Sequence, residues 1–218
     1  MTCPLCNSKS DFLLTGEGRE YWLCRCCALI AVPKKFFLSR EEEKNRYLQH
    51  NNSLENEGYV NMFQNKIDVI KTLCPGIKTV LDYGCGYAPV LKTLLRGEGF
   101  AVEAYDPLFF PDGISQSEFD LIISTETFEH FKDPGKEVSS LVSRLAPKGF
   151  LAVMTRFYPH GEGGSAGQNF HSWYYKRDPT HIAFYRQETF SWIARTFGLR
   201  VVHDNQIDFI VLQLNRGN

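Results

Sequence analysis

The sequence predicts an α/β protein in which a doubly wound, mostly parallel sheet follows a small cysteine-rich module. Three observations support this fold class. Strand and helix patterns alternate from residue 79 onward, a glycine-containing turn follows the first of these strands, and five of the seven cysteines lie in the interval from Cys3 to Cys27. A chain of 218 residues has room for one domain of ordinary size and a small appendage.

The composition is that of a folded, nearly neutral protein. Hydrophobic residues make up 43% of the chain, and 24 basic residues face 25 acidic ones. These values exclude wholesale disorder and a chain-wide basic surface for nucleic acid. The longest apolar stretches, such as residues 28–32, are far shorter than the roughly 20 residues of a membrane span. Because no apolar signal region opens the sequence, we expect a cytoplasmic protein that does not enter a membrane.

Two C-x-x-C pairs at the start of the chain have the spacing of a zinc ribbon. The pairs are Cys3 with Cys6 and Cys24 with Cys27, and the segment 7–23 separates them. Each pair directs two thiolates at one centre, so that together they complete a tetrahedron around Zn²⁺. The alternative is unliganded cysteines in a loosely packed arm, and Cys26 could compete with Cys27. We predict a zinc-ribbon module over residues 1–37.

A helical connector is expected over residues 38–57. Ser39 and Glu42 form a capping-box pattern at the start of a helix that should run to about residue 50. Apolar residues then recur at helical spacing from Tyr59 to Leu73, which predicts a second helix. We assign the main domain to residues 58–218.

Strands and helices alternate through this main domain. Strands are expected at residues 79–81, 100–105, 119–124 and 150–155, with helices at 90–95 and 134–145. After a long loop, residues 188–197 are expected to form a helix that ends at Gly198, and residues 199–203 and 209–214 a closing hairpin. This order predicts a doubly wound sheet with an antiparallel strand at its C-terminal end.

The sequence Asp82-Tyr83-Gly84-Cys85-Gly86 places an acid and a G-x-G turn between a buried strand and a helix. Glycines allow a ligand close to the backbone, and the helix N-terminus offers free N–H groups. Asp106 comes at the end of the next predicted strand, where a carboxylate can accept hydrogen bonds from both ribose hydroxyls of an adenosine. Pro89 stands where a dinucleotide fingerprint has its third glycine. An adenosine ligand without phosphates is therefore favoured over the dinucleotide of an oxidoreductase.

With these motifs the chain resembles the class I S-adenosylmethionine-dependent methyltransferases, whose sheet is Rossmann-like. Residues 81–86 are similar to the first motif of that family, and residues 104–107 to its second. Residues 119–130, followed by Asp133-Pro134, resemble the fourth-strand motif of the branch that includes the quinone-biosynthesis O-methyltransferases. The cysteine-rich start and residues 46–50 also resemble members of this branch that carry a zinc ribbon.

The resemblance implies S-adenosylmethionine as cofactor and a set of residues around it. The residues implied at its methionine end are Asp82, Gly84, Cys85 and Gly86. Asp106 would hold the ribose, and Pro107 would lie near the adenine. Thr125 and Glu126 would border the sulfonium and the substrate entrance.

The interval between Asp106 and Phe119 departs from the family pattern. Family members usually place a helix, a third strand and an adenine-contacting acid there, whereas this chain has only the short segment 107–118. An interval this short is compatible with a sheet that lacks the third strand at its edge. Ser115 and Gln116 are the candidates for replacing the adenine contact.

The long aromatic segment from residue 157 to 180 is predicted to be a substrate lid, because loops of this length in compact domains are usually functional or disordered. At its end, His181 is the candidate general base, with Asp178 fixing its tautomer. The alternative is that this pair only pins the lid, since methyl transfer from a sulfonium can rely on positioning alone.

Two further pairs of residues are interpreted more simply. Tyr47 and His50 lie on the helix before the core and are candidates for covering the cofactor or for a solvated helix end. Glu129 and His130 are adjacent in sequence, and neighbouring helical residues point about 100° apart. We therefore favour a structural role for that second pair.

The leading functional hypothesis is an enzyme that transfers a methyl group from S-adenosylmethionine to a small polar metabolite. An RNA methyltransferase whose ribbon binds the substrate is the alternative. Residues 1–60 hold eight basic and eight acidic side chains, however, so this appendage lacks the positive field that RNA binding uses. A cofactor-binding scaffold without catalysis is the third hypothesis. The expected partner is thus a small-molecule methyl acceptor, and the sequence does not define the oligomeric state.

Overall fold

Ten strands and six α-helices form the part of the chain that a computed structural model describes, which comprises residues 1–49, 52–112, 114–159 and 166–215. The strands are β1 (Ser10–Gly16), β2 (Arg19–Cys24), β3 (Ile30–Ala31), β4 (Thr79–Tyr83), β5 (Ala101–Tyr105), β6 (Phe119–Thr125), β7 (Leu145–Met154), β8 (Ala183–Phe184), β9 (Leu199–Asp204) and β10 (Phe209–Leu214). The helices are α1 (Arg40–Tyr47), α2 (Glu57–Leu73), α3 (Val90–Gly97), α4 (Pro134–Ser143), α5 (Ala166–Ser172) and α6 (Gln187–Phe197).

The larger sheet has six strands in the order β5-β4-β6-β7-β10-β9. The pairs β4–β5, β4–β6 and β6–β7 are parallel, whereas β10 runs antiparallel to both β7 and β9. The predicted doubly wound, mostly parallel sheet with an antiparallel C-terminal strand is confirmed.

Alternate residues of the central strands pack on opposite faces of this sheet. Leu81, Ile122 and Leu151 belong to one buried cluster, together with residues of α4 and α6. Val80 and Leu121 belong to another, together with residues of α2 and α3. Burial on both faces is typical of parallel strands, and it fixes the carboxyl ends of β4 and β6, where such sheets bind ligands.

The edge strand of this sheet is β5, because no strand of the described residues pairs with its outer side. Residues 107–112 and 114–118 form turns and bends, with one isolated bridge between Asp106 and Phe110. The expectation of a sheet without a third strand at this edge is therefore confirmed for the described residues.

A second, four-stranded sheet joins the cysteine-rich segment to a short strand that follows the long loop. Its order is β1-β2-β3-β8, and its neighbouring strands are antiparallel. Ile30 and Ala31 of β3 pair with Phe184 and Ala183 of β8. The cysteine-rich segment thus shares a sheet with residues that follow the long loop, and the domain boundaries at residues 37 and 57 stay a prediction.

Several helices begin and end where the local sequence predicts. Ser39 and Glu42 form the capping box of α1, and the Asp133 carboxylate caps α4 by accepting from the Lys136 N–H at 3.2 Å. Gly198 ends α6 in the left-handed conformation, with φ of +69°. None of the described helices combines the length and the apolar character that a membrane crossing requires.

Candidate active site and metal centre

A cavity of about 480 Å³ opens at the carboxyl ends of β4, β5 and β6. The residues that the sequence assigned to the cofactor all line it: Asp82, Gly84, Cys85, Gly86, Asp106, Pro107, Thr125 and Glu126. His181 lines the same cavity, whereas Asp178 does not. One space therefore joins the predicted cofactor residues with one of the two predicted catalytic residues.

Asp82 is buried near the carboxyl end of β4, with only 1% of its surface exposed. Its Oδ2 atom has no hydrogen-bond partner among the described residues. Desolvation raises the pKa of this carboxyl to about 7. A buried carboxylate oxygen without a donor suits a ligand that brings its own N–H or O–H groups.

The glycine turn after β4 needs its glycines for conformation and for space. Gly84 and Gly86 have φ of +80° and +67°, in the left-handed region that other residues rarely adopt. A Cβ atom on Gly84 would lie 2.3 Å from the Oγ1 and Cγ2 atoms of Thr127. The turn is therefore packed directly against the segment that follows β6.

Asp106 ties this turn to the end of β5. Its Oδ2 accepts a hydrogen bond from the Gly86 N–H at 3.1 Å, and its Oδ1 accepts from the Leu108 and Phe109 N–H groups at 2.8 and 3.1 Å. A carboxylate has about four acceptor positions, so a fixed Asp106 keeps capacity for a hydroxyl in the cavity. This geometry is suited to holding a ribose.

Two carboxyl groups meet behind the end of β6. The Tyr175 hydroxyl lies 3.0 Å from Glu126 Oε2 and also contacts Glu129 Oε1. Because the hydroxyl has one proton, a second hydrogen bond requires a proton on one of the carboxyls. Burial and the neighbouring Glu129 charge raise the pKa of Glu126 to about 8, which agrees with such a shared proton.

Backbone carbonyls orient two histidines at the cavity wall. His130 Nδ1 lies 3.0 Å from the Thr180 carbonyl oxygen, and His181 Nδ1 lies 2.7 Å from that of Tyr175. A carbonyl only accepts, so each Nδ1 carries the proton and each Nε2 keeps its lone pair. Burial, followed by the nearby His130, lowers the pKa of His181 to about 3. His181 is therefore neutral at pH 7 and a weak proton acceptor.

Asp178 has a different role from the one that the sequence suggested. It does not fix the tautomer of His181, because the Tyr175 carbonyl holds Nδ1 instead. The Asp178 carboxylate pairs with Arg46 at 2.7 Å and accepts from the Thr180 N–H at 2.9 Å. These bonds join α1 to the turn before His181, away from the cavity.

Helix α1 covers one side of the cavity. Its residues Arg40, Glu43 and Tyr47 line the space, and Arg40 donates to the Pro107 carbonyl oxygen at 2.9 Å. The covering position expected for Tyr47 is thus observed, whereas His50 lies outside the described residues.

The adenine contacts expected of Ser115 and Gln116 are not found, because neither residue lines the cavity. The Ser115 N–H donates instead to the Glu103 carboxylate at 2.9 Å. Pro107 and Leu108 line the corresponding wall. The expectation failed because Ser115 is held against Glu103 of β5, whereas the cavity wall is formed by residues directly after Asp106.

The predicted lid is, in its described part, a packing element. Residues 157–159 and 169–180 do not line the cavity, while residues 160–165, including His160, lie outside the described residues. Tyr158, Phe170 and Tyr175 pack with Tyr21 and Ile30 of the small sheet in a buried cluster. The aromatic composition that suggested a lid therefore reflects a core between this segment and the small sheet.

Four cysteine sulfurs converge at the base of the small sheet. Cys3 Sγ lies 3.5 Å from Cys27 Sγ, Cys6 Sγ lies 3.4 Å from Cys24 Sγ, and all four atoms lie within 4.8 Å of one another. Four thiolates about 2.3 Å from one zinc ion are roughly 3.8 Å apart, so this donor set fits Zn²⁺. Cys26 is exposed and stands outside the cluster, so Cys27 and not Cys26 is the fourth member.

Sequence reasoning missed the contribution of Glu129 and His130 to the cavity wall. Both lie in a 3-10 turn, Phe128–His130, directly after β6, and this turn lets neighbouring side chains reach the same space. The acid-histidine pair just beyond a strand's carboxyl end was the available signal.

Comparisons with known proteins agree with this architecture. A family model described as a methyltransferase domain matches residues 29–204. An O-methyltransferase family protein from Burkholderia thailandensis superposes with a TM-score of 0.52 and 13% identity, over 81% of this chain and 64% of that one. At this identity the likeness shows a shared fold alone.

Two other solved structures are similar at lower scores. A TehB-like S-adenosylmethionine-dependent methyltransferase from Corynebacterium glutamicum has a TM-score of 0.44 and 16% identity, over 73% of this chain and 97% of that one. An amino pentose methyltransferase from Micromonospora echinaspora, solved with S-adenosylmethionine bound, has a TM-score of 0.44 and 13% identity, over 81% and 97%. No curated protein matches the chain in sequence.

Proposed function

The chain belongs to the methyltransferase domain family, as a class I methyltransferase, and we propose that it transfers a methyl group from S-adenosylmethionine to a small polar metabolite. One observation carries this proposal. A single cavity joins the Gly84–Gly86 turn, the fixed carboxylate of Asp106 and the unpartnered Oδ2 atom of Asp82. These groups are suited to a ribose and an ammonium group, and none of them offers a cation for a phosphate.

The cofactor supplies a methyl group bound to a positively charged sulfur. The protein would hold its amino acid end at Asp82, its ribose at Asp106 and its adenine beside Pro107. Thr125 and Glu126 would face the sulfonium. The acceptor would enter on the side of Glu129, His130 and His181, where His181 contacts it through Nε2 and Asp178 acts as a positioning residue.

Other parts of the proposal rest on the sequence. The Phe128-Glu129-His130 turn supports a place near the branch with the quinone-biosynthesis O-methyltransferases. We further propose that Zn²⁺ binds to the four cysteines and that the enzyme works in the cytoplasm. An RNA substrate is disfavoured, because residues 1–60 carry eight basic and eight acidic side chains and so lack the net positive charge that RNA binding uses.

Calorimetry with S-adenosylhomocysteine tests the cofactor site. We expect wild type to bind it and Asp106→Asn to bind at least tenfold more weakly, a loss of about 1.4 kcal/mol. The matched control is Asp112→Asn, an exposed carboxylate in the same interval, which should bind like wild type. Binding of NADH in place of S-adenosylhomocysteine would overturn the proposal.

A further inference from the structure

One wall of the cavity carries two aromatic rings and a carboxylate beside the end of β5. The three residues are Tyr83, Phe131 and Glu137, and all of them line the cavity. Tyr83 is the last residue of β4 and pairs in register with Tyr105, which directly precedes Asp106. Neighbouring strands lie about 4.8 Å apart, so this wall stands next to the carboxylate proposed to hold the ribose.

The aromatic rings of this wall offer flat apolar surfaces. The Tyr83 ring stacks on that of Tyr105, with the centroids 5.2 Å apart, and meets the Phe131 ring edge-on at 6.2 Å. Phe131 follows the 3-10 turn after β6, so residues from two neighbouring strand ends build the surface together. Nucleic acid bases stack on aromatic side chains of this kind. The wall is therefore suited to the base that extends from a bound ribose.

Glu137 presents a carboxylate oxygen that is not engaged by any described residue. Its Oε2 accepts a hydrogen bond from the Tyr83 hydroxyl at 2.6 Å, whereas its Oε1 has no hydrogen-bond partner in the part of the chain that the structure describes. Burial and the hydrogen bond to Glu137 raise the pKa of Tyr83, so the hydroxyl keeps its proton and acts as the donor. One oxygen is thus held in place, and the other is left to a ligand.

The second acid near this wall is better satisfied than Glu137. Glu43 on α1 also lines the cavity, but its Oε2 pairs with Lys132 at 2.9 Å and its Oε1 accepts from the Tyr47 hydroxyl at 3.0 Å. Both of its oxygens are therefore engaged within the protein. Glu137 is the better candidate for receiving a hydrogen bond from a base.

The N-terminal module fixes the first turn of α4, which carries Glu137. The Gly135 N–H donates to the Pro4 carbonyl oxygen at 3.2 Å, within the first C-x-x-C loop. A Cβ atom on Gly135 would lie 2.8 Å from the Leu5 carbonyl oxygen, so this loop packs directly against the start of the helix. A hydrogen-bonding group held on a fixed helix costs less entropy when a ligand binds.

We propose that Glu137, oriented by the Tyr83 hydroxyl, accepts a hydrogen bond from the exocyclic amino group of the cofactor's adenine. This assignment rests on the proposed function, because it requires the nucleoside of S-adenosylmethionine to occupy the cavity. The interval after Asp106 lacks the third strand and the acid that the family pattern places there. An acid on α4, at the opposite side of the strand ends, takes over the recognition of the base.

The ligand class that follows is a nucleoside with a 6-aminopurine base. The amino group offers two N–H donors, and a carboxylate only accepts, so the two groups are complementary. A 6-oxopurine would direct a carbonyl oxygen at Glu137 and place two acceptors face to face. Glu137 is therefore a specificity-determining residue that selects adenosine over inosine.

Calorimetry on the full-length protein with two nucleosides tests the proposal. The probes are S-adenosylhomocysteine and S-inosylhomocysteine, which carry an amino and an oxo group at the same purine carbon. We expect wild type to bind the adenosyl compound at least about twentyfold more tightly, because the carboxylate repels the oxo group. Glu137→Gln should reduce this preference to about threefold or less, since an amide can donate to the oxo group as well as accept from the amino group. The matched control is Glu118→Gln, an exposed acid outside the cavity lining, which should keep the wild-type preference.

Tyr83→Phe provides a second variant that leaves Glu137 in place. It keeps the ring and removes the hydroxyl that orients the carboxylate. We expect its preference for the adenosyl compound to lie between those of wild type and Glu137→Gln. A purely structural role of either residue would weaken the binding of both compounds in the same proportion. An unchanged ratio in both variants, or equal binding of the two compounds by wild type, would overturn the proposal.

Failure of this assignment and failure of the proposed function give different results. If wild type does not bind S-adenosylhomocysteine, the proposed function fails and the assignment of Glu137 fails with it. If wild type binds S-adenosylhomocysteine and the ratio of the two affinities does not depend on Glu137, the cofactor site stands and only the adenine contact is rejected.

Discussion

The guanidinium group of Arg19 on β2 donates a hydrogen bond to the backbone carbonyl of His181 across 3.1 Å. It also donates to the carbonyls of Lys176, Asp178 and Pro179, at 2.6, 3.1 and 3.0 Å. Arg19 is buried. A side chain of the N-terminal hairpin therefore fixes the segment that carries His181 into the cavity.

Arg19→Lys should lower the turnover rate and leave the affinity for the cofactor nearly unchanged. Lysine lacks the planar fork, so several of the four carbonyls lose their donor, and we expect a destabilisation of about 2–4 kcal/mol. Turnover should fall at least tenfold, whereas the affinity for S-adenosylhomocysteine should stay within about twofold, because Arg19 does not line the cavity. Steady-state kinetics and calorimetry measure the two effects. Arg25→Lys, an exposed change on the same module, is the control; equal losses in both variants would contradict this reasoning.

Gly84→Ala should abolish cofactor binding. The added methyl group would lie 2.3 Å from Thr127, and the residue would have to keep a φ of +80°. Gly76→Ala separates the two effects, because Gly76 has a φ of +82° but open space around its Cβ position. We expect it to cost about 1 kcal/mol of stability and to leave calorimetric binding unchanged. If both variants bind alike, the packing of Gly84 against Thr127 is irrelevant to the cofactor.

Asp82→Asn should stabilise the cofactor-free protein in a pH-dependent way. Desolvation raises the pKa of Asp82 to about 7 in the folded state, so the folded chain resists ionisation while the unfolded chain ionises near its ordinary value of 3.8. Wild type therefore loses stability from this group as the pH rises from about 4 to 7, by up to about 4 kcal/mol.

The advantage of Asp82→Asn in urea unfolding should consequently be small near pH 4.5 and large at pH 8. The variant should at the same time bind S-adenosylhomocysteine more weakly, because the amide loses the charge that meets the ammonium group. A constant difference between the two pH values would show that Asp82 is ionised throughout the range.

Cys24→Ser should lower the stability of the protein through loss of zinc. Cys24 Sγ belongs to the four-sulfur cluster, whereas Cys26 is exposed beside it. We expect Cys24→Ser to lose one zinc ion per chain and to melt about 5 °C lower or more, while Cys26→Ser keeps both properties. Metal analysis and differential scanning calorimetry measure these changes. Retention of the ion by Cys24→Ser would reject the cluster as a zinc site.

Local sequence signals were sufficient for most of the fold. The capping box at Ser39, the N-cap at Asp133 and the left-handed Gly198 each act within a few residues, so they could be recognised without a structure. The same holds for the glycine turn and Asp106, because parallel strands bring their carboxyl ends to one edge. The residues proposed for the cofactor could thus be grouped in one site from the order of the elements alone.

Features that depend on distant contacts could not be predicted. Strand β8 is very short and exists because it pairs with β3, which lies near the opposite end of the chain. Likewise, the tautomer of His181 is set by the backbone carbonyl of Tyr175, which lies in the 3-10 turn Tyr174–Arg177. Asp178 was the nearest acid in sequence, but Arg46 from α1 engages it.

Strand β8 is translated long after the other strands of the small sheet, and this order has a consequence for biosynthesis. While the ribosome is still making the central region, the emerging hairpin of β1 and β2 has no β8 to complete its sheet. Such long-range pairing delays folding and leaves apolar surface open to aggregation. Early capture of zinc by Cys3, Cys6, Cys24 and Cys27 would hold the nascent hairpin in a native-like shape until translation reaches residue 184. Zinc starvation should therefore reduce the yield of soluble newly made protein more than it harms protein that has already folded.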